Sequence, residues 1–298
     1  EEELRALDPN MHLVVSRYVK PWTAPCNVSY AAALTASRCG LKPVENSSEH
    51  KTAGMLRADC FISHCWQECF KDFVATVRHS ICQDAVVWVC ALAINQNADV
   101  AEEVGANLET VPFARALRRS KQVVVFMDED ATALSRVWCV FECYLATQEA
   151  SIQFSVSLPD NANAKTWREV SSRLRCFDVR SCKATREQDL LRILQLIHGK
   201  EVEVNNAVLL AIDRACQYAK ALDAACTGDL EVLRSCGELA LCHDVGLTTP
   251  LHYAARAGAL EVVEHLLRSR ADANRSNKDG DAAVHFAASR GHTGALQS

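Results

Sequence analysis

A chain of 298 residues, 49% apolar and 23% charged, has room for two domains that each bury a core. Net charge −5 and a pI near 6.1 leave no electrostatic case for nucleic acid or an anionic membrane as partner. The 15 cysteines, odd in number and without the spacing of a small secreted framework, read as reduced thiols of a cytoplasmic protein.

No apolar stretch follows Glu1-Glu2-Glu3 as in a signal peptide, and no run approaches the ~18 apolar residues of a membrane helix. The sequence starts without Met and stops inside a repeat, so we expect a piece of a longer protein. Residues 1–54 read as an N-terminal extension. Its apolar run from Met11 is broken by Pro21 and Pro25, residues 29–38 form a weak helix, and Gly40 to Gly54 is polar loop.

From Asp59 the pattern changes to alternating strands and helices. Cys60–Ser63 predicts a strand and Phe70–Ile81 a helix, with Phe70, Phe73, Val74 and Val77 at helical spacing. Ala85–Ile94 predicts a second buried strand, Asn95–Asn107 a loop, and Pro112–Arg119 a helix with proline in its first turn. Further strands are expected at Ile152–Leu158 and Cys176–Val179, and helices at Trp167–Leu174 and Asp189–His198. This alternation implies a doubly wound parallel sheet over 55–199, followed by a connecting helix over 200–220.

The most informative stretch is Ser120–Gln148. Gln122–Met127 is a Val-rich run suited to a strand buried on both faces, and Asp128, Glu129 and Asp130 crowd its carboxyl end. A helix follows, capped by Thr132 or Ser135, with Val137, Phe141, Tyr144 and Leu145 as its apolar stripe. Trp138 and Glu142 stand four apart and share a face beside the strand's carboxyl end, where open α/β sheets bind ligands.

The last part of the chain repeats. Leu251-His252-Tyr253-Ala254-Ala255-Arg256-Ala257-Gly258 returns as Val284-His285-Phe286-Ala287-Ala288-Ser289-Arg290-Gly291, a period of 33 residues. Leu222–Gly228 fits the same frame. With Thr249-Pro250-Leu251-His252, this period is the signature of ankyrin repeats, expected over 221–298 with the last copy cut short. Thr249 should cap the first helix, Pro250 open it, and His252 bond neighbouring backbone. Such all-α solenoids present a face for a protein partner.

The 59–199 region resembles a TIR (Toll/interleukin-1 receptor) domain of a divergent kind. Asp59-Cys60-Phe61-Ile62-Ser63-His64 is similar to the family's first strand, and Ser135-Arg136-Val137-Trp138-Cys139-Val140-Phe141-Glu142 to its plant-type Ser-x-x-Trp-Cys-x-x-Glu segment. The continuation Cys65-Trp66-Gln67-Glu68 and the 95–107 loop depart from the family pattern. The resemblance implies a flavodoxin-like sheet, NAD as a substrate cleaved at the nicotinamide–ribose bond, no permanently bound cofactor, and self-association of the domain. It assigns Glu142 as the catalytic carboxylate and Phe61, Ser63 and Trp138 to the pocket. The alternative is a non-catalytic scaffold acting only through protein contacts.

The residues themselves leave other readings open. Glu142 could be a solvated surface carboxylate and Trp138 a core anchor. Asp128, Glu129 and Asp130 could hold Mg²⁺ or form an exposed acidic loop. His64, Cys65 and Cys69 could belong to a zinc site or serve the fold, and Cys139 and Cys143 fit buried small hydrophobes. No GxGxxG or Walker motif occurs, so a diphosphate would have to meet helix N-termini or Arg115, Arg118 or Arg119.

Overall fold

The computed structural model describes residues 9–38, 58–81, 84–98, 111–128, 130–158, 170, 172–237, 242–243 and 247–297. They fall into two compact units, Glu1–Ala211 and Ile212–Ser298.

The first unit is built on a parallel sheet. Its strands are β1 (Cys60–Ser63), β2 (Val87–Val89), β3 (Gln122–Phe126) and β4 (Gln153–Ser157), in the order β2-β1-β3-β4 among the described residues. β1 and β3 are buried at every position, which is why both read as unbroken apolar runs. Asp59 ties their starts together. Its carboxylate accepts from the Val86 amide at 3.1 Å, and its carbonyl accepts from the amides of Lys121 and Gln122. The chain leaves β1 toward β2 and returns on the other side of β1 as β3. The carboxyl ends of β1 and β3 therefore flank a topological switch point, the place where such sheets bind ligands.

Helices α1 (Phe70–Ser80), α2 (Pro112–Arg119), α3 (Val137–Thr147) and α4 (Glu187–Leu196) accompany the sheet. In α3 the expected stripe is buried at Val137, Phe141 and Leu145, while Tyr144 is half-buried and donates to Glu203 at 3.0 Å. Neither Thr132 nor Ser135 caps α3. They form a 3₁₀ turn, Thr132–Ser135, whose first amide donates to Asp128 Oδ1 at 2.7 Å, and Arg136 enters the helix without a side-chain cap.

Three other expectations need correction. The strand expected over Ala85–Ile94 is only Val87–Val89, and Cys90–Ala93 turns into a helix. β2 is an edge strand with only four-residue β1 to pair with, and the small residues after it prefer helix. Cys176–Val179 forms no strand. Asp178 accepts from the Arg180 amide at 3.0 Å and starts a 3₁₀ turn, Val179–Ser181. Pro21 does not break the N-terminal run either. Met11–Val14, Val15–Val19 and Lys20–Thr23 form successive helical turns, the middle one a π-helix. Proline cannot donate to the carbonyl four residues back, and the wider turn places it near the start of the next segment. Met11, Val15, Val19 and Thr23 form the buried face of that segment. Residues 39–54, 99–107, 129, 159–169 and 171 lie outside the described residues; they include half of the expected Trp167–Leu174 helix, whose described residues, 170 and 172–174, are helical.

The helix expected over 200–220 is longer. α5 (Glu201–Thr227) also contains what the repeat frame assigns to the first repeat, and the division between the units falls within it. The second unit continues with α6 (Leu230–Ser235), α7 (Pro250–Ala257), α8 (Leu260–Arg268), α9 (Ala283–Arg290) and α10 (Thr293–Gln297). Its core joins Leu233, Leu251, Val262, Val263 and Leu266 to Ala224, Ala225, Ala254, Ala255 and Ala287, small residues that let helices approach closely.

Gly258 ends α7 with φ +70°, the left-handed C-cap that favours glycine. A Cβ there would lie 2.6 Å from His292 Nδ1. The same ring's Nε2 bonds the Arg256 carbonyl at 3.1 Å, so it could swing away only by giving up that bond. Gly258→Ala should therefore cost about 2 kcal/mol or more, backbone strain plus a lost hydrogen bond. Gly291→Ala, at φ +72° with nothing within 4 Å, should cost only about 1 kcal/mol, the strain alone. Urea unfolding of the two variants checks the difference.

Candidate functional site

Ser63 is the last residue of β1, at the switch point, and is buried. Glu142 sits in the second turn of α3 among the buried Cys139, Phe141 and Cys143, and is itself 8% exposed. Ser63 Oγ donates to Glu142 Oε2 at 2.5 Å. Burial raises the Glu142 carboxyl to about 7, and the bond from Ser63, which favours the charged form, pulls the other way. Near neutral pH this group is poised between acid and carboxylate. That separates it from a solvated surface carboxylate, which ionises far lower.

The structure thus brings Ser63 and Glu142 together. It places Phe61 and Trp138 differently. Phe61 is wholly buried, its ring stacked on Trp88 with centroids 4.5 Å apart. Trp138 is half-buried and engaged elsewhere. Its ring meets Phe113 edge-on at 5.2 Å, and its Nε1 donates to Asp189 Oδ2 at 3.3 Å. Arg115, Arg118 and Arg119 lie on α2, whose C-terminal end leads into the amino end of β3, away from the strand ends that carry Ser63. Arg118 pairs there with Glu149 at 3.3 Å.

Around the Ser63–Glu142 pair lie residues that spacing and motifs assign no role at this site. The register pairs Ile62 with Val89; the next residues are Ser63, the end of β1, and Cys90, which opens the helical turn after β2. Burial first, and the Glu142 charge second, push the Cys90 thiol up to about 12, so it is no nucleophile. Trp66 Nε1 donates to Cys90 Sγ at 3.1 Å. Cys139 Sγ donates to the His64 carbonyl at 3.5 Å and joins α3 to the loop after β1. Sequence spacing could not rank these residues, because their proximity depends on strand register.

His64 and Glu68 form a second buried pair, Nδ1 to Oε2 at 4.0 Å. Burial lowers His64 to about 4. Burial, then Asp128 and Asp72, raises Glu68 to about 8. Both are uncharged at neutral pH, and their ring nitrogens and carboxyl oxygens make no hydrogen bond of ordinary geometry. The His64 ring packs on Phe73 with centroids 4.6 Å apart. Among the described residues no group of three or more His, Cys, Asp or Glu side chains could hold a metal ion. Glu129 lies outside the described residues.

In the second unit, Thr249 precedes α7 and Pro250 opens it. His252 folds back so that Nδ1 accepts from the Thr249 amide at 3.1 Å. With Nδ1 an acceptor, Nε2 carries the proton and donates to the Asp281 carbonyl of the next repeat at 3.0 Å. Residues 224–287 match the family model for ankyrin repeats (many copies). These residues are ankyrin repeats. The first unit, a parallel-sheet α/β domain, has a strand order compatible with the TIR family, but no match to that family accompanies it. No curated protein matches the chain in sequence. No described helix is long and apolar enough to cross a membrane.

Proposed function

We propose that this chain is a cytoplasmic interaction protein whose ankyrin repeats hold a protein partner and whose α/β unit cleaves NAD at the nicotinamide–ribose bond. The free thiols of the described cysteines suit a reducing compartment. The observation that carries the catalytic part is the buried Glu142, oriented by Ser63 beside the switch point of the sheet.

The chemistry asks little more. The nicotinamide ring is cationic in NAD. When the bond from its nitrogen to ribose C1′ breaks, the electron pair stays on nitrogen and the ring departs neutral, so no general acid is needed. The barrier lies in the oxocarbenium-like ribose, which an adjacent carboxylate stabilises by charge and by accepting from ribose hydroxyls. Water then bonds to C1′ and releases a proton. Ser63 holds the carboxylate in place, and self-association of the unit belongs to the same reading.

The test is nicotinamide release from NAD by the concentrated full chain, wild type against Glu142→Gln. We expect a loss of at least ~100-fold in the variant, the scale of removing one preorganised charged group. No release from the wild type, even when clustered, would leave a scaffold that acts by binding alone. The burial of Phe61 and the engagement of Trp138 favour that second reading.

A further inference from the structure

We infer that Trp66 is the aromatic wall of the Glu142 site and seats a cationic aromatic ring, a pyridinium of the nicotinamide type, beside the carboxylate. This rests on the NAD-cleavage reading and adds the side chain that would recognise the leaving ring.

Trp66 follows Ser63 by three residues, in the loop that leaves the carboxyl end of β1. Three contacts fix it. Its Nε1 donates to Cys90 Sγ at 3.1 Å, and Cys90 follows Val89, the strand partner of Ile62 next to Ser63. Its carbonyl accepts from the Met11 amide at 3.1 Å. The His12 ring meets it edge-on, with centroids 5.2 Å apart. A bond from the Phe70 amide to the Pro9 carbonyl, 2.6 Å, closes the same N-terminal segment over the far end of the loop. The indole is thus held on the neighbour of the Ser63–Glu142 pair, yet Trp66 remains half-buried, so part of it faces water.

That placement suits one chemistry best. An indole face is the strongest side-chain partner for a cation, and more so where water is excluded. A pyridinium between the indole and the carboxylate would meet both attractions, whereas neutral nicotinamide would meet neither in full. Once the glycosidic bond breaks, the ring loses its charge and with it most of the reason to stay, so the same contacts favour its release.

The probes are 1-methylnicotinamide, which keeps the cation, and nicotinamide, which lacks it. Each is titrated calorimetrically into the full chain. The wild type should prefer the cation several-fold. Trp66→Ala should weaken its binding about tenfold and erase the preference. Trp66→Phe, which keeps an aromatic face without the Cys90 bond, should retain the preference at reduced affinity. Circular dichroism of each variant reports folding, and the Phe variant decides the matter if the Ala variant does not fold. Equal binding of the two probes, no binding of the cation by the wild type, or unchanged affinity in both Trp66 variants overturns the inference. Cation binding through Trp66 without nicotinamide release from NAD keeps it and removes the cleavage reading. Release with an unchanged KM in the Trp66 variants does the reverse.

Discussion

His252→Ala should destabilise the repeat unit by about 3 kcal/mol, while His285→Ala, at the same position of the next repeat, should cost under ~1 kcal/mol. The two side chains occupy one sequence frame but different surroundings. His252 is 1% exposed. It accepts from the Thr249 amide, donates to the Asp281 carbonyl and packs edge-on against Phe286 at 5.4 Å. Alanine would leave the buried Thr249 amide without its partner, remove one of the two donors to the Asp281 carbonyl, which keeps the Asn277 amide at 2.9 Å, and open a cavity against the Phe286 ring. The orphaned amide alone costs roughly 1–3 kcal/mol. The His285 side chain is 59% exposed, and its bond from the Ala282 amide, 2.9 Å, can be replaced by water. In a unit of this size each kcal/mol moves the midpoint by roughly 4–8 °C, so thermal unfolding followed by circular dichroism separates the variants. Similar losses in the two would mean that His252 does not join one repeat to the next.

The difference between these histidines marks what sequence could convey. The repeat frame places both at one position, and in the copy at 249–252 Thr-Pro-Leu-His is a local pattern whose capping geometry is complete within four residues. Which of them bridges to a following repeat depends on what stacks there. The α/β unit divides in the same way. β1 and β3 were legible because a strand buried on both faces must be apolar throughout. β2 was overread: Val87–Ile94 is as apolar as β3, but a short edge partner supports only three residues of pairing. The weak strand at Cys176–Val179 lost to a local alternative, the carboxylate of Asp178 bonding the backbone two residues on. At the site, Glu142 and Ser63, 79 residues apart, were named through the resemblance, by their places in its two motifs. Trp66 and Cys90 could not, because what joins them is a side-chain bond across 24 residues of chain. At Trp138, i, i+4 spacing gives the helix face shared with Glu142 but not the groups its side chain meets, the Phe113 ring and the Asp189 carboxylate of other helices.

At pH 8, Glu142→Gln should be more stable than the wild type by about 2–3 kcal/mol, and at pH 5 the two should differ by less than ~1 kcal/mol. The sign follows from the raised carboxyl, about 7 in the fold against an ordinary 4.5. The folded state holds this proton more tightly than the unfolded chain does. Below pH 4.5 both states are protonated and the group contributes nothing. From pH 4.5 upward the unfolded chain ionises first, and the folded state falls behind until its own carboxyl ionises near pH 7, after which the penalty is constant. Glutamine can still accept from Ser63 and never ionises, so the variant escapes the penalty. Glu68, raised to about 8, acts in the same direction in both proteins, and His64, lowered to about 4, acts oppositely between pH 4 and 6.5. Their effects cancel when the two pH profiles of urea unfolding are subtracted. Activity should move the other way. If the carboxylate stabilises the ribosyl cation, NAD cleavage should rise through pH 7 as folded stability falls. Ser63→Ala removes the bond that favours the charged form, so at pH 7 its ionised fraction, and its rate, should drop about tenfold and recover as pH increases. A Glu142→Gln profile that parallels the wild type at every pH would show that the carboxylate is not held in the buried, Ser63-bonded setting from which both expectations derive.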